Sequence, residues 1–437
     1  MPSETELLQW KKKRTSTYVV FLFFYFLIGL ELGCINATLW IYVSTLLKTG
    51  NDKLYYGLIT AAFYVPSLFF PPIVTRFVDK TRRMKLCFIG VLCLSIAGSI
   101  LYPIHTSPVF PLAGRFLSGF NIAFAPVIIS EVARSFTSKE LMQRIPLLNG
   151  IIMIGYAFGP CVSILFINID FWIGGIHITY ANVIGPVLFL ISVAILLSVV
   201  FLSYDLSREY DMKRDTTEAN EYTSSKPSRS ESTMDIMKRI LQTADALLII
   251  TLSVFYGIVD QIMFRVLPIL IIDKLNFSYT FLNWSFVALS ALSTVLVLVL
   301  VCWKMSDKQL YYTGLVSVIS IMIVTSLQLL TYHKVGNEKT WYLWIIITLF
   351  ALILFLLSDQ AFSVVICAKL AFSYNQGFIE GVRTFAVQSG RIIGGLLIGV
   401  YFEYMNVFYI GINVVLILFL FVMISRRRSL SNPVPVI

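Results

Sequence analysis

YVVFLFFYFLIGLELGCINATLWIYVS, residues Tyr18–Ser44, is the first of a series of long apolar runs in this chain. The run holds 27 residues and one charged side chain, Glu31. A helix needs about 20 apolar residues to cross the hydrocarbon core of a bilayer, and the apolar segment of a signal peptide is much shorter. The run therefore predicts a first transmembrane helix rather than a cleaved leader.

Runs of similar length recur almost to the C-terminus. The chain of 437 residues is 57% hydrophobic and 13% charged, and its mean hydropathy is +0.81. Too few polar residues are present to cover a soluble globule of this size. We therefore predict an all-α integral membrane protein with twelve spans, placed by hydropathy at 18–44, 57–77, 86–104, 109–131, 145–167, 183–203, 244–272, 283–303, 310–330, 342–367, 380–402 and 407–424.

The spans divide into two six-helix halves, 18–203 and 244–424, joined by a linker at 204–243. The linker is rich in charged and hydroxyl residues, and its apolar surface is too small for it to fold alone. About 25 Lys and Arg residues fall on the side that holds both termini, against about five on the opposite side. The positive-inside rule then predicts that the N-terminal segment 1–17 and the C-terminal tail 425–437 are cytosolic.

Several functional classes have little support in the sequence. The net charge of +10 comes from short basic clusters between apolar runs, without a recognition motif for nucleic acid. We find no nucleophile triad, no nucleotide-binding loop and no Cys or His spacing that suits a metal. We therefore expect no enzyme activity, no cofactor and no metal. The expected partners are the lipid bilayer and a small-molecule or ion substrate.

The two halves share traces of an internal repeat. Arg76–Lys80, after the second span, is echoed by Lys304–Lys308 after the eighth. A second echo joins small residues of the fifth and eleventh spans, at equivalent places in a six-plus-six arrangement. We expect these residues to serve helix packing and bending rather than ligand contact; they are Gly155, Gly159, Pro160, Gly390, Gly394 and Gly395.

These features resemble the major facilitator superfamily over nearly the whole chain. Thr75–Arg83 is similar to the family's loop motif after the second helix, although Thr75 replaces its glycine and one residue is missing. Arg115–Gly119 resembles the fourth-helix motif, and Gly155–Pro160 resembles the fifth-helix motif. The resemblance implies two halves that rock around a central cavity bordered by helices one, four, seven and ten.

The resemblance also implies a cytosolic gate, formed by the charged residues of the loop motif. The alternative is that these charges only set the topology. By helical rise Asp359 lies roughly 5 Å from the cytosolic face, which favours a gate contact or a solvated helix end over a binding role. The candidate gate residues are Asp79, Lys80, Arg82, Arg83 and Asp359.

Gly114–Pro160 and Gly377–Gly395 are similar to a lysosomal branch of that superfamily. This branch is the major facilitator superfamily domain-containing protein eight, or ceroid-lipofuscinosis neuronal protein seven, group. The resemblance implies an endolysosomal membrane and a role in transport or anion conduction.

Ionisable residues at membrane depth are candidates for mechanism, because a charge there is costly unless it faces a cavity or a partner. Helical rise places Glu31 roughly 20 Å from the cytosolic face and Arg115 roughly 9 Å from the opposite face, so the two share nearly one level. We predict that they form an ion pair in the cavity and that Glu31 or Asp260 is the proton-coupling group. The alternative is a fixed structural ion pair.

Two further arginines complete the candidate cavity. Arg391 lies beside small residues of the eleventh span and either binds an anionic solute group or bonds to carbonyls of a neighbouring helix. Arg265 lies in the seventh span. With Arg115 these residues would supply the positive field of an anion channel, which is the alternative to a carrier. A non-transporting scaffold or receptor is the third hypothesis.

Two glycosylation sequons, at Asn276 and Asn283, fall on or beside the predicted non-cytosolic loop between spans seven and eight. Both are candidate sites of modification.

Overall fold

The chain folds into long helices, and the strands among its described residues form a single hairpin. A computed structural model describes residues 4–136, 138–206, 233–302, 306–332, 340, 343–344, 346–347, 351, 362–370, 376–401 and 403–431. The first half contains α1 (Glu4–Ile41), α2 (Asp52–Tyr64), α3 (Pro66–Thr81), α4 (Met84–Leu101), α5 (Val109–Ser118), α6 (Phe120–Ser135), α7 (Ser138–Leu165), β1 (Asp170–Ile173), β2 (Ile176–Thr179) and α8 (Ile184–Leu202). The linker and the second half contain α9 (Thr233–Gln242), α10 (Ala244–Ile269), α11 (Tyr279–Cys302), α12 (Asp307–Tyr332), α13 (Val364–Leu370), α14 (Gln376–Tyr401), α15 (Met405–Ser425) and α16 (Arg427–Leu430).

Nine helices in the described part of the chain are long and apolar enough to cross a membrane. Two shorter apolar stretches, Gly150–Leu165 and Tyr279–Leu292, belong to α7 and α11, at the predicted fifth and eighth spans. Most of the predicted tenth span, 342–367, lies outside the described residues. Apolar side chains that face outward, such as Ile410, Val414 and Ile417 on α15, follow a helical period and suit contact with lipid.

The first helix begins earlier than predicted, because α1 starts at Glu4 rather than near Tyr18. The basic residues of the predicted N-terminal segment 1–17 are therefore part of this helix. Arg14 explains the extension: its guanidinium donates to the Glu140 carboxylate at 3.0 Å and to the Ser135 carbonyl at 3.2 Å. These contacts fix the start of α1 to the turn between α6 and α7.

Two of the predicted spans are built from pairs of helices. Pro66 begins α3 directly after α2, and it lacks the N–H that a continuous helix would use. Gly119 separates α5 from α6, and a Cβ there would lie 2.1 Å from the Phe63 carbonyl oxygen of α2. The second and fourth spans are therefore interrupted where they approach each other.

Glycines set the distance between the main helix pairs. A Cβ on Gly155 of α7 would lie 2.4 Å from the Phe26 carbonyl oxygen of α1. A Cβ on Gly390 of α14 would lie 2.1 Å from the Val254 carbonyl oxygen of α10. The two helix pairs hold equivalent places in the two halves. The sequence repeat therefore corresponds to the same close, glycine-mediated helix packing in each half.

The two ends of the bundle differ. The end that holds β1 and β2, here named the hairpin end, also holds the ends of α1 and α10, where Trp40 Nε1 donates to Asp273 Oδ1 at 3.0 Å. The opposite end, named the terminal end, holds the start of α1 and the end of α15. Gly174 and Gly175, both with positive φ, form the two-residue turn of the hairpin, as a tight turn of this kind requires.

Candidate functional site

A cavity of about 200 Å³ lies between the two halves. It equals the volume of roughly seven liquid water molecules, which suits a small solute. The first half contributes a mainly apolar wall that includes Ile28, Leu32 and Ile152, whereas the second half contributes four polar side chains. These four are Asp260, Gln261, Ser290 and Arg391.

An ion pair forms the charged part of the cavity wall. Arg391 Nε of α14 donates to Asp260 Oδ2 of α10 at 3.0 Å, and the two side chains are 24% and 7% exposed. The Arg391 guanidinium also lies over the Tyr64 ring of α2, 5.5 Å from its centroid. Gln261 Nε2 donates to the Tyr64 hydroxyl at 3.1 Å. Helix α2 of the first half therefore contacts the charged wall of the second half directly.

The structure gives Arg391 a partner that the sequence did not indicate. That partner is the carboxylate of Asp260 on the neighbouring helix α10. The pair can form because α10 and α14 pack through glycines: a Cβ on Gly257 would lie 2.2 Å from the Val387 carbonyl oxygen. Close backbones bring a short carboxylate within reach of the arginine.

Glu31 and Arg115 also form an ion pair, at the shared level that helical rise indicated. Arg115 Nη1 donates to Glu31 Oε1, and both side chains are 2% exposed. Asn121 Nδ2 approaches Glu31 Oε2 at 3.3 Å, and the Phe63 ring centroid lies 4.0 Å from Arg115 Cζ.

This pair does not line the cavity, contrary to the prediction. Asn121 Nδ2 also donates to Ser95 Oγ at 2.8 Å, so α1, α4, α5 and α6 enclose the pair within the first half. Glu31 and Asp260 therefore do not share one charged site, because each pairs with a different arginine. Helical rise indicates depth along a helix but not the face on which a side chain lies. The predicted depth of Glu31 and Arg115 was therefore correct, whereas their predicted position in the cavity was not.

Arg265 is buried next to the cavity, with 1% of the residue exposed. Its Cζ lies 5.6 Å from the centroid of the Tyr56 ring. Within the described residues, its Nε and Nη1 have no hydrogen-bond partner. Arg265 thus differs from Arg115 and Arg391, each of which pairs with a carboxylate.

The halves are joined at the hairpin end by hydrogen bonds. Besides the contact between Trp40 and Asp273, Asn283 Nδ2 donates to the Tyr180 hydroxyl at 2.5 Å. The Tyr180 ring stacks on Tyr279 with centroids 5.5 Å apart. Burial raises the pKa of the Tyr180 hydroxyl, so this group stays neutral at physiological pH. These contacts close the hairpin end between the halves.

The burial of Asn283 corrects one prediction. Its side chain is fully enclosed, so it has no room for a glycan, and the glycosylation prediction is wrong at this residue. Asn276 is exposed and stays a candidate.

The predicted gate residues lie around the turn between α3 and α4. Arg82 has a left-handed backbone, with φ of 54°, and its N–H donates to the Val78 carbonyl at 2.7 Å, which ends α3. Arg83 follows as an exposed residue before α4. The side chains of Asp79 and Lys80, and all of Asp359, lie outside the described part of the structure, so the gate stays a prediction.

At the terminal end the sequence analysis missed a second anchoring ion pair. Arg426 donates to both carboxylate oxygens of Asp245, through Nε at 2.8 Å and Nη2 at 3.2 Å. Hydrogen bonding to Asp245 and its charge raise the pKa of Arg426. The pair joins the end of α15 to the start of α10. No periodicity signalled it, because Asp245 sits where a span meets the linker.

No group of His, Cys, Asp or Glu suited to a metal occurs among the residues described.

We expect Trp40→Phe to open the hairpin end. The change removes the indole N–H that bonds to Asp273 but keeps an aromatic ring beside Tyr56. A hydrogen bond to a charged group contributes about 1.5–3 kcal/mol, so the open population should rise by roughly tenfold or more. Spin labels at Lys53→Cys and Ser278→Cys, on opposite halves, would report the change as a longer distance.

Trp172→Phe is the matched control, because this tryptophan is 67% exposed on the hairpin. An unchanged distance distribution in Trp40→Phe would show that the indole contact does not hold this end closed.

Comparisons with known proteins agree with this architecture. The family model of the Major Facilitator Superfamily matches residues 21–395. The chain is similar to the crystal structure of a D-xylose-proton symporter, with a TM-score of 0.65 and 11% identity over 96% of this chain and 98% of that one. It is similar to the nucleoside transporter NupG, with a TM-score of 0.66 and 13% identity over 94% and 99% of the two chains. It is also similar to the human organic anion transporter MFSD10, with a TM-score of 0.60 and 12% identity over 94% and 99%.

A curated relative matches a shorter region. Multidrug resistance protein 2 of Bacillus subtilis (strain 168) is 29% identical over 105 residues, which are 24% of this chain and 26% of that protein. The match therefore spans about a quarter of the relative's length.

Proposed function

The chain belongs to the major facilitator superfamily of membrane transporters, which are not enzymes, and we propose that it carries a small solute by alternating access with Asp260 as the proton-coupling residue. The observation that carries this proposal is the ion pair of Asp260 and Arg391 on the cavity wall. Protonation of Asp260 would remove the carboxylate charge and release Arg391 to a solute. The solute and the Asp260 carboxylate would then compete for Arg391, so protonation and solute binding would favour each other, which is the requirement for coupling.

Asp260 is a better candidate than Glu31 because of its surroundings. Glu31 is enclosed inside the first half, where it shares hydrogen bonds with Arg115 and Asn121. Asp260 borders the space that opens and closes as the halves rock, so its access to a proton changes with the state of the carrier. The sequence left open whether Glu31 or Asp260 couples protons. We assign the coupling role to Asp260 and a structural role to Glu31.

The names of the similar structures support a small organic solute. They include a proton symporter of a sugar, a nucleoside transporter and an organic anion transporter.

An endolysosomal membrane is supported by the resemblance of Gly114–Pro160 and Gly377–Gly395 to the lysosomal branch. Microscopy of the tagged chain with an endolysosomal marker tests the location, and a signal confined to the plasma membrane would contradict it. Both termini are proposed to be cytosolic from the charge bias.

Asp260→Asn is expected to lower proton-coupled flux by at least about tenfold, because the amide cannot exchange a proton at physiological pH. The purified chain is placed in liposomes that contain a pH-sensitive dye. D-Xylose, uridine and benzoate are added in turn, and the proton movement that each one causes is recorded. Solute counterflow, which needs no net proton movement, should persist in the variant.

Asp205→Asn is the matched control, because Asp205 accepts a hydrogen bond from the Lys85 N–H at the terminal end. Equal proton movement in wild type and Asp260→Asn would contradict the coupling role.

An anion conductor is the second candidate function, and buried Arg265 is the observation that favours it. A chloride current in the same liposomes that is faster than the turnover rate of a carrier would favour the anion conductor over the carrier.

A further inference from the structure

Arg265 is a buried cation whose surroundings supply no negative charge among the described residues. The residue is 1% exposed, and neither Nε nor Nη1 has a hydrogen-bond partner there. The side chains that act on its charge are three tyrosines, Tyr56, Tyr64 and Tyr156. Neutral phenols compensate a guanidinium only weakly, and native proteins pair buried charges with an opposite charge. The arrangement therefore lacks an anion.

Arg265 does not line the cavity itself, but side chains near it do. Tyr64 and Tyr156, whose side chains act electrostatically on Arg265, line the cavity, and so does Phe264, the residue before it. One turn earlier on α10, Gln261 lines the same space. A negatively charged group in the cavity could therefore approach Arg265 and accept a charge-assisted hydrogen bond from Nε or from Nη1, as a carboxylate does.

Charge and shape narrow the class of solute. Asp260 and Arg391 neutralise each other, so Arg265 leaves the described surroundings of the cavity with one positive charge. The opposite wall is apolar, through residues such as Ile28 and Leu32, and favours an organic body over a bare inorganic ion.

Two buried amide oxygens, on Asn36 and Gln261, indicate a hydrogen-bond donor on the solute. Asn36 Nδ2 donates to the Tyr156 hydroxyl, and Gln261 Nε2 donates to the Tyr64 hydroxyl. The amide oxygens Asn36 Oδ1 and Gln261 Oε1 are buried, and no described residue donates to them. Both residues line the cavity. A hydroxyl on the solute would supply the missing donor.

We propose that Arg265 binds the carboxylate of a small organic solute that also carries a hydroxyl group, with Asn36 and Gln261 as acceptors for that hydroxyl. This proposal rests on the proposed carrier function and names the solute class of its cavity. Tyr56 places the subsite close to the hairpin end, because its ring packs against Trp40 at 5.3 Å between centroids and lies under Arg265.

The first test measures binding to the purified full-length chain in nanodiscs at constant ionic strength. Mandelate carries the carboxylate and the hydroxyl, mandelamide lacks the charge, and phenylacetate lacks the hydroxyl. We expect mandelate to raise the melting temperature, mandelamide to have no effect, and phenylacetate to bind about two- to tenfold more weakly than mandelate. Equal responses to mandelate and mandelamide would overturn the proposal. Chloride protecting as well as mandelate would overturn the organic assignment.

Arg265→Met separates ligand binding from a structural role. The variant keeps the volume and removes the charge, so we expect an unliganded melting temperature at or above that of wild type. The Kd for mandelate should rise at least about tenfold. Arg144→Met is the control, because Arg144 packs on Tyr18, away from the cavity lining. A lower melting temperature in Arg265→Met with an unchanged Kd would show that Arg265 only braces the helices and would overturn the proposal.

The spin-label pair at Lys53 and Ser278 separates failure of this proposal from failure of the carrier function. If the distance between the labels still switches between two populations while mandelate has no effect, alternating access stands and the anion subsite is wrong. If mandelate binds through Arg265 but neither the distance nor liposome flux responds, the subsite stands and the carrier function is wrong.

Discussion

Gly390→Ala should destabilise the protein by about 3 kcal/mol, although alanine is the better helix former. The new Cβ would lie 2.1 Å from the Val254 carbonyl oxygen and 3.0 Å from the Gly257 Cα. Both neighbours are backbone atoms, so relief requires α14 to move away from α10. That movement would also separate Arg391 from Asp260, and we therefore expect loss of proton-coupled flux together with loss of stability.

Gly381→Ala, on the same helix, should change the stability in the opposite direction. A Cβ on Gly381 would meet no atom within 4 Å, so alanine should stabilise α14 by up to about 1 kcal/mol. Melting temperature and size-exclusion profile of both variants in one detergent provide the measurement. If the two substitutions shift the melting temperature equally, helix propensity rather than close packing governs both positions.

The sequence predicted the architecture well because hydropathy depends on composition within a single span. The family model over residues 21–395 and the similar structures confirm the predicted all-α membrane fold. The structure also places the repeated glycines of α7 and α14 at equivalent helix contacts. The helix α1 begins before the predicted span, because hydropathy reports where a helix enters lipid, whereas the ion pair of Arg14 with Glu140 lies outside that region.

The candidate site was predictable only in part. Depth along the helices brought Glu31 and Arg115 to one level, and the structure joins them. Depth could not indicate that the pair faces the interior of the first half, because facing depends on helix rotation. The partners Asp260 and Arg391 are 131 residues apart, and nothing local in either span signals their contact. Tyr64 and Gln261 were missed for the same reason.

Glu31→Gln should destabilise the folded protein by about 3–5 kcal/mol, because it leaves Arg115 charged and 2% exposed without its carboxylate. Arg115→Met should have a similar effect by leaving Glu31 unpaired. The double variant removes both buried charges, so its loss of stability should be smaller than that of either single variant. A double-mutant cycle on melting or denaturant midpoints measures the coupling between the two side chains.

The partly buried pair of Arg14 and Glu140, with side chains 14% and 35% exposed, is the control for this cycle. An ion pair nearer the surface contributes about 1 kcal/mol or less, so Glu140→Gln should have a small effect.

The cycle also decides between the structural and coupling roles of Glu31. Proton-coupled flux that persists in the double variant identifies the pair as structural and leaves Asp260 as the coupling group. A stable Glu31→Gln variant that loses the pH dependence of flux would instead assign the proton to Glu31, because only a coupling residue combines unchanged stability with altered pH dependence.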